Sequence, residues 1–255
     1  HRAFNHSKIT EGLAILLDVA GELFTNHARD YLQRRIATDG VNWITYNAWK
    51  YEYIHHINQL AWFSDGWLAG YGVLGQTMPR VRPYADLAYQ SLHESMSKVI
   101  LPDGGYEEGA GYFATVAGHG AEGLYYYSRY TGRPLSGVVP ESFLKTADFA
   151  EVVRSTVPGQ GYITFADSGW KPRNAWAFMA ALLPESAWVS IYRETIRDHS
   201  TFPTAPMEMA LQQRIPEAGP EPRPFVQMGT MGLTSSTRRL GDHWVKLLLV
   251  TNIDK

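Results

Sequence analysis

The spacing of apolar residues predicts a mostly helical protein. In residues 9–24 apolar side chains recur every three or four positions, which is the period of an amphipathic helix. Similar patterning predicts helices over residues 28–36, 84–100, 112–130, 142–153, 174–183, 186–197 and 206–214. Residues 44–74 predict one or two further helices. We expect these to be buried on most sides, because the segment carries almost no charge after Glu52.

The pattern changes towards the C-terminal end. Residues 159–165 predict a short strand, and residues 225–237 and 243–250 predict two more strands joined by a tight turn. Residues 215–224 contain four prolines and predict a linker. Because two strands alone are only marginally stable, we expect their sheet partners to lie beyond Lys255.

These patterns predict three regions: a helical domain at residues 1–214, a linker at residues 215–224, and the start of a sheet domain at residues 225–255. Successive helices stacked side by side would give an α/α solenoid or toroid.

Composition narrows the classes of function. The 255 residues carry 25 acidic and 23 basic side chains, and this balance gives no electrostatic reason to expect a nucleic-acid partner. Without cysteine, the chain forms neither a disulfide nor a thiolate metal site. No apolar run reaches the roughly 18 residues of a membrane span, and no signal peptide is recognisable. Since the sequence starts at His1 rather than Met, we expect a fragment or a processed product.

Aromatic residues are the strongest compositional feature. The 15 Tyr, 10 Phe and 8 Trp suit a cleft for sugar rings, whose apolar faces stack on aromatic side chains. They also suit an ordinary core, and on composition alone the core is the better interpretation.

A glycine-rich loop at residues 101–112 stands out between two predicted helices. It holds four glycines, one proline, three carboxylates and two tyrosines, and its Pro-Asp-Gly-Gly start is a turn signature. Helical patterning resumes at Tyr112, so we expect this phenol at the mouth of a helix. There it would either do acid–base chemistry or cap the core.

Further candidate groups lie in apolar or loop surroundings. Tyr112 and His119 are seven residues apart, which puts them on one face of a regular helix. Arg80, beside prolines, would clamp a carboxylate or a sulfate, and Trp170 would offer a platform for a sugar ring. The long aromatic segment holds four polar candidates, His55, His56, Asn58 and Gln59. Each of these residues also has a structural interpretation, as a hydrogen-bonded core residue or a solvated loop residue.

Two enzymatic mechanisms would use such residues. A glycoside hydrolase needs two facing carboxylates, and nothing in the sequence singles out a pair among Asp103, Glu107, Glu108 and Asp167. A β-eliminating lyase instead needs an amide or a cation that neutralises a uronate carboxylate. It also needs a base for the C5 proton and an acid for the leaving oxygen, roles that Tyr and His fill.

Two segments carry a resemblance to the heparinase II/III-like polysaccharide lyases. Residues 102–113 (PDGGYEEGAGYF) look like that family's D-G-x-Y-x-E-G-x-G-Y-W/F segment. Residues 58–66 (NQLAWFSDG) are similar to its N-W-x-x-V-x-x-x-G helix, with Gln59 where Trp is common. Asn58 and Tyr112 are 54 residues apart, near the family's spacing between its carboxylate-neutralising residue and its catalytic tyrosine.

Two weaker matches follow in the same order as in the family. Residues 167–169 (DSG) resemble a short G-D-S-like loop, and residues 232–247 resemble the first strands of the family's β-sandwich. The resemblance implies a mainly α fold, in which an incomplete (α/α) toroid precedes an antiparallel β-sandwich, with the cleft between them. It also implies a bacterial-type periplasmic or secreted location.

The resemblance implies roles for individual residues. Asn58 would neutralise the uronate, with His56 a second candidate because some members have histidine at or near this position. Tyr112 would be the base, the acid or both, and Glu108 would order the loop or touch substrate. The expected substrate-binding residues are His55, Gln59, Glu108, His119, Arg80 and Trp170.

One family feature is missing from the sequence. Members carry an H-x-H-x-D-like motif early in the sandwich, which supplies a catalytic histidine and, in some members, a ligand to a structural metal. These 255 residues contain no such motif, and we do not take His243 for the missing histidine. We therefore expect no cofactor in this chain, and a structural divalent metal only in sandwich sequence beyond Lys255.

The leading hypothesis is a polysaccharide lyase that cleaves uronic-acid polymers by β-elimination. Heparin or heparan sulfate is the first choice of substrate, resting partly on Arg80 and Arg82, and alginate is the second. The expected partner is thus an anionic polysaccharide, with no nucleic acid and no membrane. The alternatives are a glycoside hydrolase on an α/α toroid and a non-catalytic glycan-binding toroid.

Overall fold

The computed structural model describes residues 2–165, 173–197 and 205–251. These residues form twelve α-helices and one three-stranded antiparallel sheet, which confirms the prediction of a mainly helical chain that ends in strands. The helices are α1 (Arg2–Ala20), α2 (Asn26–Arg35), α3 (Asn42–Lys50), α4 (Gln59–Thr77), α5 (Arg82–Val99), α6 (Gly109–Thr115), α7 (Ala121–Thr131), α8 (Glu141–Leu144), α9 (Ala147–Val153), α10 (Arg173–Leu182), α11 (Trp188–Arg197) and α12 (Pro206–Leu211). The strands are β1 (Phe225–Met228), β2 (Leu233–Leu240) and β3 (His243–Val250). None of the helices in these ranges is long and apolar enough to cross a membrane.

The chain divides into two compact units, described here one at a time. Unit 1 comprises residues 1–98 and 119–139, and α4 packs there against α1 and α7. A Cβ atom on Gly66 of α4 would lie 2.0 Å from the carbonyl oxygen of Ser7 in α1. The missing side chain is therefore what lets these two helices approach so closely.

Unit 2 comprises residues 99–118 and 140–255 and has an aromatic core. The ring of Trp188 stacks on Phe113 and on Trp176, with centroid distances of 5.1 and 5.2 Å. Both β1 and β2 pack against α9, and β2 is the central strand of the sheet. Its Ser235 pairs with Val226 of β1 and Leu248 of β3.

Two predicted strands differ in the structure. Residues 159–165 form no strand, because their only ladder contact is an isolated bridge between Tyr162 and Arg154. Residues 225–237, predicted as one strand, are β1 and the first part of β2. Gly232, with a φ of 61°, lies in the turn that separates them.

Of the two helices in the long aromatic segment, only α4 is buried as predicted. α4 is buried along most of its length, as expected. In α3 the buried side chains are Ile44 and Ala48, which are four residues apart and define one narrow inward face. The aromatic side chains lie on the other faces, so Tyr46 and Trp49 are 54% and 50% exposed.

The predicted helix over residues 112–130 is not one regular α-helix. A π-helical segment, Val116–Gly120, separates α6 from α7. The expectation that Tyr112 and His119 share one face assumed an unbroken α-helix, and that premise is wrong. Single π-helical turns occur frequently at functional sites.

Candidate functional site

The glycine-rich loop of unit 2 is held in place by its first carboxylate. Asp103 accepts hydrogen bonds from the backbone N–H groups of Gly105 (3.2 Å) and Thr230 (2.9 Å), which ties the loop to the turn between β1 and β2. Gly104 has a φ of 82°, and a Cβ atom there would lie 2.1 Å from the carbonyl oxygen of Lys145. The loop therefore requires glycine at this position for two independent reasons.

This loop delivers Tyr112 to the accessible side of α6. Six of the seven residues of α6 are buried, and Tyr112 is the one that is partly exposed. The neighbouring ring of Phe113 points into the aromatic core instead. At the end of the loop, Tyr106 donates a hydrogen bond of 2.8 Å to Glu108, so the glutamate of the motif helps to order the loop.

The polar group around Asn58 lies in unit 1, where the chain enters α4. Asn58 directly precedes α4 and is 8% exposed, while Gln59 is partly exposed. His55 contacts the carbonyl oxygen of Ala48 through Nε2 at 2.9 Å, so this ring nitrogen donates to the backbone at the end of α3. His56 is exposed. Asn58 and His56 thus lie two residues apart but differ sharply in accessibility.

Asp65, in the middle of α4, organises a buried charge cluster in unit 1. Its side chain is fully buried. One oxygen accepts from the Ser7 hydroxyl (2.6 Å) and the Gly66 backbone N–H (2.6 Å), and the other contacts Lys8 Nζ (2.6 Å) and His119 Nδ1 (2.8 Å). Both carboxylate oxygens are therefore acceptors of two hydrogen bonds each.

The pKa shifts follow from this geometry. Burial alone would raise the pKa of Asp65, but the hydrogen bond and charge of His119, followed by the Lys8 ammonium, lower it below its ordinary value. Burial and the charge of Asp65 raise the pKa of Glu11. Burial and the nearby Glu11 also raise the pKa of Tyr126, whose hydroxyl donates to Glu11 at 2.8 Å. The fold therefore favours the ionised form of Asp65 and shifts Glu11 and Tyr126 towards their protonated forms.

The position of His119 is set by Asp65 and by an aromatic ring. Since an ionised carboxylate only accepts, His119 Nδ1 must carry the proton that the contact with Asp65 requires. The ring of Trp62 lies 4.2 Å from the imidazole, and the Ser64 hydroxyl donates to the His119 carbonyl oxygen at 3.1 Å. A carboxylate that fixes the tautomer and orientation of a histidine prepares its Nε2 for proton transfer or for binding an anion.

The same cluster contains a set of potential metal ligands. Asp65, His119 and Glu122 each offer one ligand atom, and these atoms lie within 4.8 Å of one another. The ammonium of Lys8 lies 2.6 Å from Asp65 and 3.6 Å from Glu122. It therefore supplies the positive charge that a divalent cation would bring, and the geometry favours an internal ion-pair cluster over a metal centre.

The predicted site residues divide between the two units. Glu108 and Tyr112 belong to unit 2. Unit 1 holds His55, His56, Asn58, Gln59, Arg80 and His119. Arg80 is exposed in a short 3-10 turn, Pro79–Val81. Trp170 and the loop of residues 167–169 lie outside the described residues.

The sequence analysis missed the partners of His119. The segment around Asp65 was described only as carrying almost no charge, and neither Asp65 nor Lys8 and Glu11 were considered as neighbours of His119. The available signal was Asp65 itself, because an ionised group in a buried helix needs a partner of opposite charge.

Comparison with known proteins adds no family assignment: no family model matches the chain, and no curated protein matches it.

Proposed function

We propose that this protein is a polysaccharide lyase that cleaves uronic-acid-containing polysaccharides by β-elimination. The observation that carries the proposal is the presentation of Tyr112. The only accessible residue of α6 is a phenol. It follows on a loop held in one shape by Asp103 and by the close approaches of Gly104 to the Lys145 carbonyl oxygen and of Gly109 to the Phe165 carbonyl oxygen. A side chain held this way suits proton transfer to or from a bound substrate.

The proposed reaction assigns one or both of its proton transfers to Tyr112. A base removes the C5 proton of the uronate, the electron pair forms the C4–C5 double bond, and the bond from C4 to the leaving oxygen breaks. Tyr112 takes the C5 proton, protonates the leaving oxygen, or does both in turn. The proposed role of Asn58 is to hydrogen-bond the uronate carboxylate, so that the C5 proton becomes acidic. His56 is the second candidate for this role.

The proposal extends to substrate and architecture. We expect heparin or heparan sulfate as the first substrate class and alginate as the second, which the resemblance in residues 58–66 and 102–113 supports. We also propose that the helices belong to an incomplete (α/α) toroid and that β1–β3 begin a β-sandwich. Packing of α4 between α1 and α7, together with the antiparallel order of the strands, is compatible with this proposal.

Two product measurements test the reaction. Uronate polymers are incubated with the protein while ultraviolet absorbance and new reducing ends are followed in parallel. Elimination produces both signals, because the unsaturated uronate is conjugated with its carboxylate. Reducing ends without absorbance would overturn the proposal in favour of a glycoside hydrolase, and binding without either product would leave a glycan-binding protein.

A variant pair tests the role of Tyr112. Tyr112→Phe removes only the hydroxyl, and loss of a general acid or base typically lowers the rate by about 100-fold or more. Tyr31→Phe is the matched control, because Tyr31 is 57% exposed on α2 and has no assigned role. Full elimination activity in Tyr112→Phe, with the same thermal unfolding as the control, would remove Tyr112 from the mechanism.

A second variant tests Asn58 independently. Asn58→Asp keeps the size of the side chain but replaces the amide donor with a carboxylate, which would repel a uronate. We expect elimination to fall by at least tenfold, with Asn26→Asp on α2 as the control. An unchanged rate would remove Asn58 from the mechanism and leave His56 as the candidate.

A further inference from the structure

A row of exposed aromatic side chains lies on α3 and the 3-10 segment that follows it. The aromatic row consists of Trp43, Tyr46, Trp49, Tyr51 and Tyr53. These side chains are between 38% and 54% exposed, which is unusual for five aromatic residues within eleven positions. Large exposed apolar surface of this kind normally marks a binding site.

Four members of the aromatic row, Trp43, Tyr46, Tyr51 and Tyr53, are connected through ring contacts or through one cation. The ring centroids of Trp43 and Tyr46 are 6.1 Å apart, as are those of Tyr51 and Tyr53. Lys50 Nζ connects the two pairs, since it lies 5.3 Å from the Tyr46 centroid and 5.1 Å from the Tyr51 centroid. The result is a line of rings with an ammonium near its middle.

Folding of unit 1 does not account for the exposure of these rings. The buried side chains of the same segment are Ile44, Ala48 and Ile54, and they already provide its contact with the core. The inward contact of Trp49 is an edge-to-face contact with Trp67, at a centroid distance of 6.5 Å. The rings therefore present apolar surface that the fold itself leaves uncovered.

We infer that the aromatic row binds the sugar rings of an anionic glycan, with Lys50 as the partner of a carboxylate or a sulfate. Pyranose rings stack their C–H faces on aromatic side chains, and the tyrosine hydroxyls add hydrogen-bonding groups at the edges. Lys50 supplies the complementary charge for an acidic sugar.

The composition of this surface favours a glycan over a second protein chain. None of the exposed residues between positions 42 and 56 is aliphatic. The fully buried core of a protein interface is predominantly apolar, whereas the tyrosine hydroxyls and Lys50 place polar groups along the whole of this surface. The row also ends shortly before Asn58 in the chain and belongs to the same unit.

This inference deepens the proposed function and rests on it for the acidic nature of the ligand. Binding is measured in the Tyr112→Phe background, in which cleavage is expected to be blocked, with heparin and alginate oligosaccharides as probes. A neutral oligosaccharide of similar length serves as the uncharged probe. The exposed Trp43 and Trp49 report binding directly through their fluorescence, and calorimetry provides the dissociation constant.

The expected results are specific to the row. The double variant Tyr46→Ala/Tyr51→Ala removes two rings and should raise the Kd for the acidic probe at least tenfold, because the loss of even one stacked ring corresponds to about a tenfold change. Lys50→Gln should raise the Kd for the acidic probe several-fold and reduce the salt dependence of its binding. The Kd for the neutral probe should stay the same. Tyr31→Ala removes an equally exposed ring on α2 and should change nothing.

The outcomes separate this inference from the lyase proposal. If the acidic probe binds with the same Kd to the row variants and to the Tyr31→Ala control, the row is not the site, even if the protein cleaves the polymer. If wild-type protein forms a dimer that the row variants lose, and no probe binds, the row is a protein interface and the inference is wrong. If the row variants lose binding while wild-type protein cleaves nothing, the inference holds and the lyase proposal fails.

Discussion

Replacement of Asp65 by asparagine should destabilise the protein far more than its conservative size suggests. The carboxylate is fully buried in α4 and accepts two hydrogen bonds on each oxygen. An asparagine side chain has one oxygen and one NH2 group. Whichever way the amide is oriented, its oxygen can accept from only one of the two donor pairs, Ser7 with Gly66 or Lys8 with His119. If the oxygen stays with Ser7 and Gly66, the new NH2 group faces the donors of Lys8 and His119.

The size of the effect follows from the donors that lose their acceptor. Leaving a buried donor without an acceptor typically costs about 1–3 kcal/mol, and more for a charged group. A single domain is stable by only about 5–15 kcal/mol, so the loss should be visible in both urea and thermal unfolding at pH 7. Asp39→Asn is the matched control, because Asp39 forms an exposed ion pair with Arg35, and such pairs contribute about 0–1 kcal/mol.

The pH dependence gives a second, independent test. Because the folded protein lowers the pKa of Asp65, the ionised carboxylate stabilises the folded state above the unfolded pKa of about 3.9. That stabilisation is lost as the pH falls through the lower, folded pKa. The difference in stability between wild type and Asp65→Asn should therefore shrink as the pH falls below about 4.

A double-mutant cycle identifies the responsible partner. Lys8→Met removes the ammonium that lies 2.6 Å from Asp65 and keeps most of the side-chain volume. The double variant should be more stable than the sum of the two single losses predicts, by at least about 1 kcal/mol. The reasoning is refuted if Asp65→Asn costs no more than Asp39→Asn, or if its cost grows as the pH falls below about 4.

Two further predictions concern packing and a buried amine. Gly66→Ala should lower the free energy of unfolding by about 3 kcal/mol, because the new Cβ would lie 2.0 Å from the Ser7 carbonyl oxygen. A Cβ atom on Gly12 would meet nothing within 4 Å, so Gly12→Ala should raise the free energy of unfolding by about 0.5–1 kcal/mol. Urea unfolding measures both changes. Burial lowers the pKa of Lys246 to about 8, so the unfolded state binds one more proton between pH 8 and 10.5. The stability of the wild type relative to Lys246→Met should therefore rise over this interval by up to about 3 kcal/mol, and a fall would contradict the assigned shift.

Periodicity in the sequence located most of the helices, but it missed the breaks within residues 112–130 and 142–153 and the side that each helix buries. α4 was predicted correctly, since nearly every residue in it is apolar and any orientation buries it. In α3 the aromatic residues outnumber Ile44 and Ala48, and their size suggested a core that the structure builds from the smaller pair. The prediction failed because bulk and burial are separate properties for Tyr and Trp, which tolerate water at their polar edges.

The strands illustrate a different limit. The prediction merged β1 and β2 because it overlooked the turn between them. Gly229 and Gly232 were the available turn signal, and the second adopts the left-handed conformation that separates the strands. The strand predicted over residues 159–165 is absent for a different reason. A strand-like composition forms a strand only where a partner strand exists to exchange hydrogen bonds with it.

The Asp65 cluster marks the point where local sequence reasoning ends. A single carboxylate within an apolar helix implies a buried partner of opposite charge, because an unpaired buried charge would cost far more than the helix gains by packing. That inference requires only the sequence around α4. It does not identify the partner, since Lys8 and His119 are more than fifty residues away in opposite directions along the chain. Only the packing of α4 against α1 and α7 brings them together, so the existence of the cluster is predictable from sequence while its membership depends on the fold.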